Sequence, residues 1–392
     1  MSARSFLNGC VTLYPGDCRT VLAGLPECSV DSVVCDPPYH LTSIVKRFGG
    51  ENAAPAKVGK TGAYARASAG FMGKQWDGGD VAFQVETWAA VFRILKPGSH
   101  LIAFSGTRTY HRMVCAIEDA GFEIRDQLAW IYGSGFPKSH NALKPAHEPV
   151  VLARKPLIGT VADNVLSFGT GALNIDGCRI ESGTDYHDLS VTQGGKAAQG
   201  FNVGGTGSGK RNGVFSPATG RWPANLVHDG SPEVLAAFPA SDGGGDIHRR
   251  SAPKTSGVYG AFAGNDDRWA GYGDEGSAAR FFYTAKADAD DRLGSKHPTV
   301  KPLDLMQWLA RLVTPRNGVC LDPFAGTGTT GEAAWREGMR AILIEREPEY
   351  IADIERRMEL AANPTKRAAV AKTKNQLDDP NGLPLFKMEP AE

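Results

Sequence analysis

The sequence predicts an α/β protein with a mainly parallel sheet wound by helices. Three observations carry this. Apolar runs of strand length alternate with segments of helical spacing over residues 11–155 and again over 303–360. The run Gly318-Val319-Cys320-Leu321 opens into Asp322-Pro323-Phe324-Ala325-Gly326-Thr327-Gly328-Thr329-Thr330, which reads as strand, glycine loop, helix. A further apolar run, Ala341-Ile342-Leu343-Ile344, ends in Glu345, as strands do at doubly wound nucleotide sites.

The elements follow in order. Residues 11–14 read as a first strand, closed by Pro15-Gly16-Asp17. Residues 19–25 form a short helix with Val21, Leu22 and Leu25 inward, and residues 30–35 form the next strand. This spacing sets Asp17 and Asp36 at the carboxyl ends of neighbouring parallel strands, the edge where ligands bind in open α/β sheets. Residues 40–80 are a polar, glycine-rich loop carrying Lys46, Arg47, Lys57, Lys60 and Arg66. A helix over 85–95 is stopped by Lys96-Pro97-Gly98-Ser99, and residues 101–104 are a buried strand. Residues 110–121 form a helix, 122–124 and 128–132 paired strands, and 150–153 a further strand.

From about residue 155 to 285 the periodicity fades and glycine, serine and asparagine dominate. Gly204 to Lys210 nearly spells a phosphate loop, but Arg211 stands where a Ser or Thr would bind magnesium, which excludes an ATPase reading. Lys196, Lys210, Arg211, Arg221, His248, Arg249, Arg250 and Lys254 lie here with Phe201, Phe215 and Trp222 among them. Such a mixture suits contact with DNA phosphates and bases, or a decorated surface insertion. Residues 279–283 read as a strand returning to the core, 303–313 and 350–360 as helices, and 361–392 as a flexible, charged tail.

Bulk composition narrows the classes. The 392 residues have room for one large α/β domain with an insertion, or for two domains. Net charge is zero, so a basic surface must come from local clustering. Seven cysteines without a C-x-x-C pair give no recognisable zinc site or disulfide framework and fit a reducing, cytoplasmic setting. No apolar stretch approaches a membrane span, and Met1-Ser2-Ala3-Arg4-Ser5 lacks the apolar core of a signal peptide. His147 and Glu148 have no third ligand at a recognisable spacing, so a structural role is expected and no metal.

The glycine loop points to a cofactor. Glycines at 326 and 328 let backbone approach a ligand where a Cβ would collide, and the following helix offers unpaired N–H groups. Glu345 is suited to accept the hydroxyls of a ribose, so an adenosine-bearing cofactor is expected. Alone, such a loop is also compatible with a simple tight turn.

Asp36-Pro37-Pro38-Tyr39, the His297-Pro298-Thr299-Val300-Lys301-Pro302 run and Asp322 to Gly328 together resemble the amino-methyltransferases of DNA. Lys74-Gln75-Trp76-Asp77, Phe136-Pro137-Lys138-Ser139 and His147-Glu148-Pro149 are similar to further elements of that family. The order, catalytic tetrapeptide first and cofactor loop last, resembles the beta class, over roughly residues 10–155 and 279–360. His40 departs from the asparagine that many relatives carry after the tyrosine.

This resemblance implies a circularly permuted Rossmann-like methyltransferase fold and S-adenosylmethionine as cofactor. It implies that Asp36 and the carbonyl of Pro37 hold the target amine, with Pro37 and Pro38 fixing the backbone and Tyr39 offering a face to a flipped-out base. Asp322, Phe324, Gly326, Thr327 and Gly328 would line the cofactor, Glu345 its ribose, Asp17 its adenine amine, and Thr299 and Lys301 its methionine end. The chain then divides into 1–155 with the catalytic motif, 156–285 for target recognition, 286–360 with the cofactor loop, and the tail 361–392. The implied partner is double-stranded DNA. Dimerisation is common in the class, whether a restriction endonuclease accompanies the chain is left open by the sequence, and the glycine-rich character is similar to phage and prophage enzymes. Asp at position 36, where Ser also occurs, leans towards adenine N6. The alternatives are cytosine N4, methylation of RNA or protein glutamine, and an inactive DNA-binding relative.

Overall fold

The computed structural model describes residues 2–39, 80–135, 143–181, 220–242, 256–257, 260–261, 275–285, 289–295, 297, 299–368 and 370. The expected basic loop with Lys74-Gln75-Trp76-Asp77, His40, Phe136-Pro137-Lys138-Ser139, Pro298, residues 204–211 and the tail beyond 370 lie outside them. So do Lys196, Phe201, Phe215, His248, Arg249, Arg250 and Lys254.

The chain divides into two units. The first comprises Met1–Cys178, Asn225–Ser231 and Thr284–Glu392. It begins β1 (Arg4–Phe6), β2 (Val11–Pro15), α1 (Cys18–Gly24), β3 (Val30–Cys35), α2 (Val85–Ile94) and β4 (Leu95–Phe104). It continues α3 (Tyr110–Asp119), β5 (Glu123–Ile131), β6 (His147–Arg154), α4 (Val161–Phe168) and β7 (Leu226–His228). The second unit, Arg179–Ala224 with Pro232–Tyr283, holds α5 (Pro232–Ala237) and two short antiparallel pairs. These are β8 (Ala240–Asp242) with β11 (Glu275–Ser277), and β9 (Ser256–Gly257) with β10 (Gly260–Ala261). After β12 (Tyr283–Thr284) come α6 (Leu303–Val313), β13 (Val319–Asp322), α7 (Thr329–Arg336), β14 (Arg340–Glu345) and α8 (Pro348–Ala362).

Strands of the main sheet run in the order β1-β2-β14-β13-β3-β4-β6-β5-β7. From β2 to β4 all neighbours are parallel, whereas β6 is antiparallel to both β4 and β5. This is the mixed, mainly parallel α/β architecture that the alternation predicts. The sheet is covered on both faces, so β3 is buried along its whole length, the polar Asp31 and Ser32 included. Val33, Leu101, Val151 and Leu321 pack with Leu22 of α1, Trp88 of α2 and Ile117 of α3. Alternate residues such as Val34 and Ile102 point to the opposite face, as a period of two requires. No helix among the described residues is long and apolar enough to cross a membrane.

Several expectations are corrected. Asp17 and Asp36 do not follow neighbouring strands, because β14 and β13 enter between β2 and β3. Sequence neighbours are therefore separated by strands from the far end of the chain. Residues 122–132 are not two paired strands but one, β5, whose polar Arg125-Asp126-Gln127 is carried past a register shift between Ile124 and Asp126. Lys96-Pro97-Gly98-Ser99 ends α2 yet belongs to β4, where an irregularity pairs Val30 with Leu95 and Ser32 with His100. That irregularity accommodates Pro97 within a strand. Residues 279–283 form a short 3-10 turn, Ala278–Phe281, before β12 rather than a full strand.

The sheet unit also extends past residue 155. Cys178 is buried against α6, its carbonyl accepting the Trp308 indole N–H at 3.4 Å. Asn164 of α4 is buried and its amide donates to the carbonyls of Pro97 (2.9 Å) and Thr170 (2.7 Å). Residues 225–231 belong here because β7 pairs with β5.

Candidate active site

The glycine loop is held at both ends. Asp322 closes β13; its Oδ1 accepts the Phe324 N–H at 3.0 Å and its Oδ2 accepts the Thr330 hydroxyl at 2.6 Å. Gly326 and Gly328 take φ of +51° and +76°, the left-handed region. A Cβ on Gly326 would lie 3.4 Å from the His297 ring, and one on Gly328 3.1 Å from Ile354 of α8. Gly331 serves the layer beneath: a Cβ there would lie 2.6 Å from Leu343, so α7 rests directly on β14.

Glu345, at the end of β14, accepts the Gly326 N–H at 2.8 Å and those of Arg346 and Glu347 at 2.9 Å each. Burial raises its pKa against these donors. Burial pushes the Asp322 carboxyl up to about 7, opposed by its hydrogen bonds and aided by the nearby Asp36 and Glu345. His297 Nδ1 accepts the Thr299 N–H at 3.3 Å. Burial and then the Lys301 charge lower its pKa to about 4.

Asp36 follows β3 at the same sheet edge. Its Oδ1 accepts the Tyr39 hydroxyl at 2.8 Å, and its Oδ2 pairs with Lys301 Nζ at 2.7 Å. Glu148, at the start of β6, lies 3.0 Å from Lys301 Nζ and 3.0 Å from the Tyr39 hydroxyl. Burial pulls the Lys301 pKa down, but Asp36 and Glu148 outweigh it and hold the ammonium above the ordinary lysine value. Burial, followed by the same two carboxylates, raises the Tyr39 phenol well above its usual range. The Tyr39 ring packs at Gly106, where a Cβ would approach it to 3.3 Å, and its carbonyl accepts the Thr109 hydroxyl at 3.0 Å.

Both clusters line one cleft of about 1250 Å³. Asp36, Pro37, Pro38 and Tyr39 lie along it with Thr299, Lys301, Asp322, Phe324, Gly326, Thr327 and Glu345. Asp17 lines it too, while capping α1 through its carboxylate to the Arg19 and Thr20 N–H groups at 3.1 and 3.3 Å. Phe324 meets Trp88 edge-on at 6.4 Å. Gly328 does not line the cleft; it turns the loop into α7. The expected catalytic and cofactor residues are thus brought to one edge from opposite ends of the chain.

Two contributors escaped the sequence reading. Glu148, expected to be structural, reaches into the cleft; its signal was an acidic residue at the start of a strand on the binding edge. Arg357 is 1% exposed within the apolar stripe of α8, and its Nε donates to the Thr327 carbonyl at 2.8 Å. A charged residue in register with Tyr350, Ile354 and Ala361 was the legible sign.

The N6/N4 methyltransferase family, described as DNA methylase, matches residues 30–356. Type II methyltransferase M.HindIII of Haemophilus influenzae is 29% identical over 116 residues, 23% of this chain and 38% of the relative. M.HinfI, also of Haemophilus influenzae, is 43% identical over 83 residues, 21% of this chain and 23% of the relative. The chain therefore spans well under half the length of these curated relatives. Among solved structures, the PvuII DNA methyltransferase, titled cytosine-N4-specific, aligns over 94% of this chain and 92% of its own, at 16% identity and a TM-score of 0.46. A putative DNA modification methylase from Thermus thermophilus aligns over 88% and 93%, at 18% identity and a TM-score of 0.42. With the family match running from β3 into α8 and enclosing both clusters of the cleft, the chain belongs to the N6/N4 DNA methylase family.

Proposed function

We propose that the protein is a site-specific DNA methyltransferase that transfers a methyl group from S-adenosylmethionine to N6 of adenine. The observation that carries this reading is a single cleft with a glycine cradle on one side and, on the other, an Asp-Pro-Pro-Tyr cluster whose Asp36 pairs with Lys301. The cradle fits the cofactor: Gly326 leaves room that a Cβ would fill beside His297, and carboxylates at 17, 322 and 345 suit a cationic ligand with ribose hydroxyls. When bound, the cofactor supplies an electrophilic methyl group.

The protein's own groups do the rest. Phe324, Gly326 and Thr327 hold the cofactor, Glu345 accepts its ribose hydroxyls with lone pairs that its backbone donors leave open, and Asp17 and Thr299 take its two ends. Asp36 and the Pro37 carbonyl accept the two N–H groups of the target amine, which localises the nitrogen lone pair for attack. Tyr39 presents its ring to the base, which leaves the duplex to reach the cleft. Much of the rate then comes from orientation, since donor and acceptor are held in one place. Arg179 stacks on Trp222 at 5.1 Å and Arg221 on Phe281 at 5.0 Å in the second unit, a pairing of charge and aromatic surface that supports DNA recognition there.

Single-molecule sequencing of genomic DNA from a methylation-free bacterial host expressing the chain tests the proposal. The expected result is N6-methyladenine in one sequence motif, absent with Asp36→Ala although that variant still binds the cofactor. N4-methylcytosine in its place refutes the adenine assignment. No modified base, from a folded protein that binds the cofactor, refutes DNA as the substrate.

A further inference from the structure

The cluster around Asp36 contains one more acid than the proposed chemistry uses. Lys301 Nζ bridges Asp36 Oδ2 and Glu148 Oε2, and the Tyr39 hydroxyl lies against both carboxylates. Lys301 is 6% exposed on its side chain, Asp36 and Glu148 about one fifth. Three distant segments supply them: the end of β3, the start of β6 and the run before α6. Two carboxylates and one ammonium leave one net negative charge facing the cleft.

We propose that Glu148 is a positioning residue for methyl transfer: it shares the Lys301 ammonium with Asp36, so that the Asp36 carboxylate is only partly compensated when it meets the target amine. This rests on the methyltransferase reading above. The ammonium at 2.7 Å takes one acceptor position on Asp36 and weakens the negative charge that the remaining lone pairs offer an amine N–H. The attacking nitrogen gains positive charge as the new N–C bond forms and the S–C bond breaks, and it keeps that charge until a proton leaves to solvent. A Lys301 paired with Asp36 alone would cancel the carboxylate and repel this charge. With Glu148 present, the lysine has a second counter-ion and the surplus negative charge remains beside the nitrogen. The high proton affinity of Lys301 keeps it cationic throughout, so the balance is set by where the ammonium sits rather than by its titration.

The test uses the full-length protein, labelled S-adenosylmethionine and unmethylated genomic DNA, with wild type, Glu148→Gln, Glu148→Asp, Lys301→Met and the Glu148→Gln/Lys301→Met pair. Glu148→Gln is expected to lower the single-turnover rate about 100-fold at saturating cofactor and DNA. Its cofactor Kd stays within about twofold, which also reports an intact fold. Glu148→Asp recovers part of the rate. The double variant is faster than Glu148→Gln by about tenfold or more, because removing the ammonium restores the charge on Asp36. Glu148→Gln within about threefold of wild type, or a double variant no faster than Glu148→Gln, overturns the inference. A wild type that transfers no methyl group to DNA refutes the functional reading itself, and this inference with it.

Discussion

Arg357 offers a test of how the glycine loop is held. It is buried in α8, and its guanidinium reaches three partners: the Thr327 carbonyl at 2.8 Å, the carboxylate of Glu332 at 2.9 Å, and the Asp291 carbonyl. Glu332 is fully buried in α7, and its other oxygen is held by Arg336 at 2.9 Å and by Arg367. Arg357→Met leaves one carboxylate oxygen and the Thr327 and Asp291 carbonyls without this donor. Breaking a buried ion pair from one side costs about 3–5 kcal/mol. Because Arg336 and Arg367 still compensate the charge of Glu332, the expected loss lies at the lower end, about 3 kcal/mol. Arg357→Met with Glu332→Met removes the stranded charge and is expected to lose about 1–2 kcal/mol, mostly from the Thr327 and Asp291 carbonyls that lose their donor. Urea unfolding at pH 7 measures both, and a cofactor titration measures the loop, whose binding weakens in the single variant. A loss below about 1 kcal/mol for Arg357→Met, or a double variant as unstable as the sum of its singles, refutes the brace.

Other outcomes follow from the same structure. His100 and His297 are buried and each lowered to about 4, so both stay neutral in the folded protein while the unfolded chain takes up protons. Their stabilisation is present above pH 6.5 and lost as pH falls towards 4, about 2 kcal/mol each at pH 5; His100→Asn is expected to flatten the pH dependence of the urea midpoint by that share, and an unchanged slope refutes it. Asp322 acts with the opposite sign: its carboxyl, raised to about 7, stabilises below the usual carboxylate range and loses that contribution as pH rises through 7. Binding of the cationic cofactor is therefore expected to release a proton below pH 7, seen by calorimetry as observed heats that differ between two buffers of different ionisation enthalpy; equal observed heats in the two buffers at pH 6 contradict this. Gly328→Ala forces a Cβ into a left-handed position 3.1 Å from Ile354, and is expected to lose about 1–2 kcal/mol in thermal unfolding, together with cofactor affinity. An unperturbed melting temperature counts against it.

Much of the fold was legible because local chemistry decides it. α6 falls over Leu303–Val313 where the 3.6-residue stripe places it, and β3 spans residues 30–35 as expected. Errors arose where a distant partner overrides a local sign. Pro97 reads as a terminator, but opposite the irregularity at Val30 it sits within β4. The polar Arg125-Asp126-Gln127 separates the two expected strands, but pairing with β6 carries a single strand through. The cleft residues were readable as two separate motifs. Glu148 was not, because its role exists only once Lys301, Asp36 and Tyr39 converge from three elements.

The insertion of β13 and β14 between β2 and β3 has a consequence for biosynthesis. A ribosome must translate past residue 345 before the middle of the sheet exists. Until then the nascent chain carries the β1-β2 hairpin apart from the β3-β4-β6 group, each with a bare edge and with Leu13 and Val33, fully enclosed at the end, still wet. The last-made strands act as a keystone. Premature termination before Val319 yields two sticky half-sheets rather than a smaller protein, and chaperone demand peaks late in synthesis. The same geometry makes the chain suited to scission: a break ahead of α6 would leave a fragment whose missing centre is supplied by residues 303–362 in trans.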